Sequence, residues 1–173
     1  MLFRSPNILK VWHVPNDYGY IVEGSDWSEY GTLREMLQQS NPLDVERAVG
    51  IIRGILEGLR AIHAKDVIHR ELCPENILMV EDIPRLTNFD FSYQLEEDRH
   101  TVIPDPDELK RSPYIAPEVY HGGSSLKEAT DLFSVGVILF EMLTHSKPFG
   151  CSLDLEEIGG SLSFDAIQRL NNL

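Results

Sequence analysis

Ile68-His69-Arg70-Glu71-Leu72-Cys73-Pro74-Glu75-Asn76-Ile77-Leu78-Met79 is the stretch around which the rest of the chain is read. It sets polar and ionisable side chains between apolar flanks. Downstream, Ile77–Val80 and Arg85–Thr87 read as two short strands around the turn residues Glu81-Asp82-Ile83-Pro84. Upstream lies the clearest helix. Asp44 can cap it, and Val45, Ala48, Val49, Ile52, Leu56, Leu59 and Ile62 recur at three- and four-residue steps, which predicts one apolar stripe facing a core. His63, beside that stripe, reads as a satisfied core residue rather than a ligand.

Farther toward the N-terminus, Thr32 precedes helix formers and predicts a short helix ending near Ser40-Asn41-Pro42. Asn7–His13 and Gly19–Glu23 are rich in strand formers and are separated by turn residues, which predicts a hairpin. Toward the C-terminus, residues 130–143 predict a helix apolar nearly all round, with Thr130 as cap and Lys147-Pro148-Phe149-Gly150 as its end. A weaker helical pattern surrounds Phe164, Ile167 and Leu170. Between them, residues 88–118 form an acidic, proline-bearing connection too long to be without a role.

A chain of 173 residues, 42% hydrophobic and 25% charged, is the size of one soluble globular domain. Its net charge of −13 leaves no broad basic face, so nucleic acid and anionic membrane are excluded as expected partners. Only Cys73 and Cys151 are present, which argues for a reducing compartment, and the cytoplasm is expected. No signal-peptide pattern opens the sequence, and its longest apolar run, Phe133–Leu143, is too short for a bilayer.

The opening stretch resembles the catalytic loop of eukaryotic-type protein kinases, H-R-D-L-x-x-x-N. His69, Arg70, Leu72, Pro74 and Asn76 fit it. Three further motifs follow in family order: Asn88-Phe89-Asp90 at the place of D-F-G, Ser112-Pro113-Tyr114-Ile115-Ala116-Pro117-Glu118 at that of the substrate-docking A-P-E element, and Asp131-Leu132-Phe133-Ser134-Val135-Gly136 at that of D-x-W-S-x-G. The resemblance spans roughly residues 5 to 150. It implies an α+β, protein kinase-like fold, a mainly helical C-lobe with a vestigial N-terminal β-hairpin. Residues 1–24 would be the end of the N-lobe and the hinge, and residues 25–173 a C-lobe incomplete at its C-terminal end. The Gly-rich loop, the ATP-holding Lys and its helix Glu would then be missing upstream. The alternative, that these residues open a complete small domain, stands beside it.

The resemblance also implies roles. Glu71 takes the place of the Asp that accepts the substrate proton, and Cys73 that of a phosphate-steadying Lys. Asn76 would serve catalysis and bind magnesium, with Asn88 or Asp90 as further metal ligands. Glu23, Ser25 and Met79 would line the nucleotide site. His69, Arg70, Ser112, Glu118 and Asp131 would be docking or structural residues, with Asp131 bonding the catalytic-loop backbone. ATP and Mg²⁺ are the implied cofactors, bound weakly or not at all because Asn88 lacks the charge of Asp. In the 88–118 segment, Ser92, Tyr93 and Thr101 are candidate phosphate acceptors; equally, Glu96, Glu97 and Asp98 could satisfy Arg70 without phosphate.

Function follows from this damage. The first expectation is a catalytically impaired kinase-like domain acting as a binding or regulatory module, with a protein partner or a missing upstream lobe. The second is a weakly active ATP-dependent Ser/Thr protein kinase using Glu71 as base. A small-molecule phosphotransferase is third, disfavoured by the intact A-P-E element.

Overall fold

The structure, a computed structural model, describes residues 3–14, 22–39, 42–95, 112–121 and 126–148. Outside the described residues lie the turn at 15–18, the acidic run Glu96-Glu97-Asp98, Thr101, Cys151 and the pattern around Phe164, Ile167 and Leu170.

β1 (Val11–Val14) and β2 (Val22–Ser25) pair antiparallel, Val11 opposite Ser25 and Val14 opposite Val22, so the two expected strands pair, the first beginning at Val11 and the second reaching Ser25. α1 (Leu33–Gln39) starts from a reciprocal cap: Glu35 N–H donates to Thr32 Oγ1 at 3.3 Å, and Thr32 N–H donates to Glu35 Oε2 at 2.6 Å. α2 (Val45–His63) is capped by Asp44, whose Oδ1 accepts the Arg47 N–H at 2.9 Å. β3 (Val67–Ile68) leads into the catalytic-loop stretch, which closes with a 3₁₀ turn, Pro74–Asn76. β4 (Ile77–Val80) and β5 (Ile83–Leu86) then form a hairpin. Its two-residue turn, Glu81-Asp82, has φ of 51° and 62°, the left-handed pair such a turn requires. β6 (Tyr93–Gln94) returns to pair with β3, a contact that two residues of strand gave no pattern for. A 3₁₀ turn (Pro117–His121) and α3 (Glu128–Thr144) complete the order.

The core lies where α2 meets α3 and β5. The buried face of α2 is Ala48, Ile51, Ile55, Gly58, Leu59 and Ile62. This corrects the stripe expected from the sequence, since Val45, Val49 and Leu56 are exposed. The reason is the partner surface. Gly54 and Gly58 let the helix backbone settle onto Asn7, Pro84 and Leu86, which rotates Ile51 and Ile55 inward. α3 also starts two residues before the predicted cap. Thr130 acts from inside the helix, its Oγ1 accepting the Lys127 N–H at 3.2 Å. His145, left-handed at φ 54°, ends it, and its N–H reaches Glu141 O at 2.8 Å. α3 is buried on most of its circumference, as its all-round apolar sequence predicts. Among the described residues no helix is long and apolar enough to cross a membrane.

Candidate active site

Asp131, fully buried near the start of α3, fixes the catalytic loop. Its Oδ2 accepts the His69 N–H and its Oδ1 the Arg70 N–H, both at 2.9 Å. Arg70 needs that support, because its φ of 68° is a left-handed conformation that costs a non-glycine residue of order 1–3 kcal/mol. His63 Nε2 lies 2.7 Å from the same Oδ2, so His63 is a satisfied half-buried residue of the α2–α3 contact. His69 is buried, with Nε2 at 2.9 Å from Thr87 O. Burial pushes its pKa below the ordinary value, against the pull of Asp131, and the Thr87 carbonyl calls for a proton on Nε2. Arg70, also buried, donates through Nε to Phe91 O and lies 5.6 Å from the Tyr93 ring centroid. Ser92 Oγ donates to Phe89 O at 2.7 Å.

Three candidate residues converge. Asn76 Nδ2 donates to the Glu71 carbonyl at 2.8 Å. Asn88 Nδ2 lies 3.0 Å from Glu71 Oε2 and 3.3 Å from Asn76 Oδ1. Asn88 holds a left-handed backbone, φ 56°, a conformation Asn tolerates well. The Glu71 carboxyl is raised above the usual carboxylate range, first by burial and then by Asp90, against the hydrogen bond from Asn88. Asp90 thus faces this site as a like charge. A divalent cation requires oxygens directed at one point, and here an N–H₂ group is directed at both candidate oxygens. As arranged, the cluster does not fit Mg²⁺.

The nucleotide-side candidates lie on two strands. Glu23 lies in β2 opposite His13, and Ser25, exposed, opposite Val11. Met79 is 1% exposed and packs in the core. Strand alternation turns Leu78 to the opposite, half-buried side. Cys73 is half-buried against the core, and burial pushes its thiol up to about 12, with Glu75 adding to the effect. It is an inert packing group, not a substitute for a cation.

The Ser112–Glu118 stretch is anchored on α3. Glu118 Oε1 accepts from Thr130 Oγ1 at 2.9 Å, tying the element to α3, and Ser134 Oγ donates to Tyr114 O at 2.6 Å. Ser112 is half-buried and its carbonyl accepts from Ile115 N–H at 3.3 Å. Sequence reading passed over what holds this element to the catalytic loop. Arg34, on α1, donates through Nε to Glu75 Oε1 and through an Nη to Glu141 Oε1, each at 2.7 Å, and also bonds the Tyr114 hydroxyl. Tyr114 in turn donates to Glu141. Burial works against the Arg34 charge, yet the bonds to Glu141 and Glu75 outweigh it and hold its pKa above the ordinary value. Burial likewise opposes the Glu75 charge, but Arg34 carries that carboxyl below its usual range. The signal was Glu141 itself, an acid on a buried helix that has to have a cationic partner.

A buried Asp pins a polar loop between small strands, beside the Ser112–Glu118 stretch anchored on a central helix, an arrangement of the kind the protein kinase fold has. The family profile described as "Protein kinase domain" matches residues 1–165. The chain is 30% identical over 148 residues to a probable serine/threonine-protein kinase of Clostridium perfringens, covering 84% of this chain and 21% of that protein. To the serine/threonine-protein kinase PrkC of Bacillus subtilis it is 29% identical, covering 83% and 22%. To Aurora kinase A-A of Xenopus laevis it is 30% identical, covering 84% and 35%. The chain belongs to the protein kinase family, and it spans about a fifth to a third of these relatives' length.

Proposed function

We propose that this kinase-family domain acts by binding a protein partner, with phosphoryl transfer impaired. The observation that carries this is the Asn88 amide turned onto Glu71 and Asn76, where the family's use of ATP with Mg²⁺ needs oxygen ligands. Glu71 adds a second handicap. Its carboxylate stands on one more methylene than Asp, and a displacement of about 1 Å in a catalytic group can cost ~10²-fold in rate. Cys73, neutral and half-buried, supplies no charge to a phosphate. A cleft of about 410 Å³, lined mainly by apolar residues such as Phe3, Leu9, Val11 and Phe89 with Lys10, Ser92 and Gln94 among them, supports the binding role by offering a mixed surface to a partner.

A weakly active Ser/Thr protein kinase is the alternative. It is favoured by the formed docking element, Ser112–Glu118, and by the raised pKa of Glu71, which suits a general base. Thermal denaturation with and without Mg·ATP separates the two. The binding proposal expects a midpoint unchanged by nucleotide. A rise of several degrees that needs the metal would favour the weakly active kinase.

A further inference from the structure

We propose that the Asn88 amide is a tethered stand-in for a divalent cation, closing the Glu71–Asn76–Asn88 cluster without metal, so that this one nitrogen decides whether the cluster can hold an ion. The inference rests on the impaired-site proposal and adds to it what closes the site.

Asn88 Nδ2 carries two hydrogens and meets two acceptors, Glu71 Oε2 at 3.0 Å and Asn76 Oδ1 at 3.3 Å. Asn76 is oriented independently. Its own Nδ2 donates to the Glu71 carbonyl at 2.8 Å, so its oxygen is the atom left to face Asn88. A reversed Asn88 amide would set its oxygen against a carboxylate oxygen and an amide oxygen, with no hydrogen between them. The bonding pattern therefore fixes the amide orientation on both side chains. The closed cluster bridges the catalytic loop and the segment after β5. There Phe89 stacks against Phe3 at 5.7 Å and stands 5.0 Å from the His69 ring, so the amide bonds hold this stack in place.

An Asn88→Asp substitution reverses the chemistry. Its carboxylate would face Glu71 at hydrogen-bond distance, a like-charge contact that either a shared proton or a bound cation relieves. Glu71, Asn76 and the new carboxylate are oxygen donors of the kind Mg²⁺ and Mn²⁺ prefer.

The test measures thermal midpoints of the full chain in EDTA and in millimolar Mn²⁺ at matched ionic strength, for wild type, Asn88→Asp and Asn88→Ala, with bound Mn²⁺ counted by electron paramagnetic resonance. Wild type is expected to hold its midpoint in Mn²⁺. Asn88→Asp is expected to melt lower in EDTA and to rise by about 5 °C in Mn²⁺, gaining one bound ion. Asn88→Ala, which loses the closure without gaining an oxygen, is expected to melt lower in both buffers and reports ion binding elsewhere on this acidic chain. If Asn88→Asp does not fold, Asn88→Asp with Glu71→Gln removes the like-charge contact and carries the same measurement. A wild-type midpoint that rises in Mn²⁺ as far as that of Asn88→Asp overturns the proposal, as does a folded Asn88→Asp chain that gains no ion. Phosphoryl transfer by wild type would defeat the impaired-site proposal alone, because the Mn²⁺ response of the cluster is read without nucleotide.

Discussion

Cys73 and Tyr114 show how local environment overrides a side chain's ordinary chemistry. With its thiol pushed up to about 12, Cys73 is disfavoured as a thiolate in the folded chain at pH 8. In a Cys151→Ser background, iodoacetamide is therefore expected to label native Cys73 far more slowly than the unfolded chain. Equal rates would show the thiol to be open and ionised. Tyr114 is raised too, by burial first and by its bond to Glu141 second. A phenol that keeps its proton in the folded state contributes stability below its unfolded pKa of about 10, and that contribution is lost as pH rises through the higher folded value. Wild type and Tyr114→Phe should accordingly show the same tyrosinate absorbance at pH 10.5 while native. Extra tyrosinate in wild type at that pH would show the Tyr114 phenol to be open to solvent. The catalytic-loop residues were legible because their spacing is local, His69 through Asn76. Arg34 was not, because its partners Glu75, Tyr114 and Glu141 lie 41, 80 and 107 residues away.

Among the elements, α2 marks where periodicity is informative and where it runs out. The three- and four-residue spacing located the helix, and Asp44 located its start. The phase was misread because glycine carries no hydrophobic signal, yet Gly54 and Gly58 face the packed side. A Cβ on Gly58 would lie 2.7 Å from Asn7 O and 2.9 Å from Leu86 Cδ1, with backbone on one side and core on the other. Gly58→Ala is expected to destabilise by about 1–3 kcal/mol, overpacking outweighing the gain in helix propensity. Gly50→Ala meets nothing within 4 Å and is expected to stabilise slightly, by about 0.5–1 kcal/mol. Chemical denaturation of the two variants decides whether this helix is seated by its glycines. Equal effects would place the α2 contact elsewhere.

Across the molecule, Arg34 joins α1, the 3₁₀ turn of the catalytic loop, the docking element and α3 through one guanidinium. Arg34→Ala leaves Glu141, 7% exposed, as a buried charge without its guanidinium, and is expected to cost about 3–5 kcal/mol. Arg34→Lys, which keeps the charge but loses the fork, is expected to fall between wild type and Arg34→Ala in chemical denaturation. The fold was legible at this scale because four motifs follow one another in order, whereas the state of the site was not. Sequence showed that Asn88 lacks a charge, but only the placement of its amide shows that Glu71 and Asn76 are already satisfied. The central claim is that this placement leaves phosphoryl transfer impaired. Its most direct test is transfer of labelled γ-phosphate from Mg·ATP to a generic basic protein, with Glu71→Ala as control. The account predicts no transfer by wild type above that control. Transfer by wild type that Glu71→Ala abolishes would contradict it and establish Glu71 as a working base.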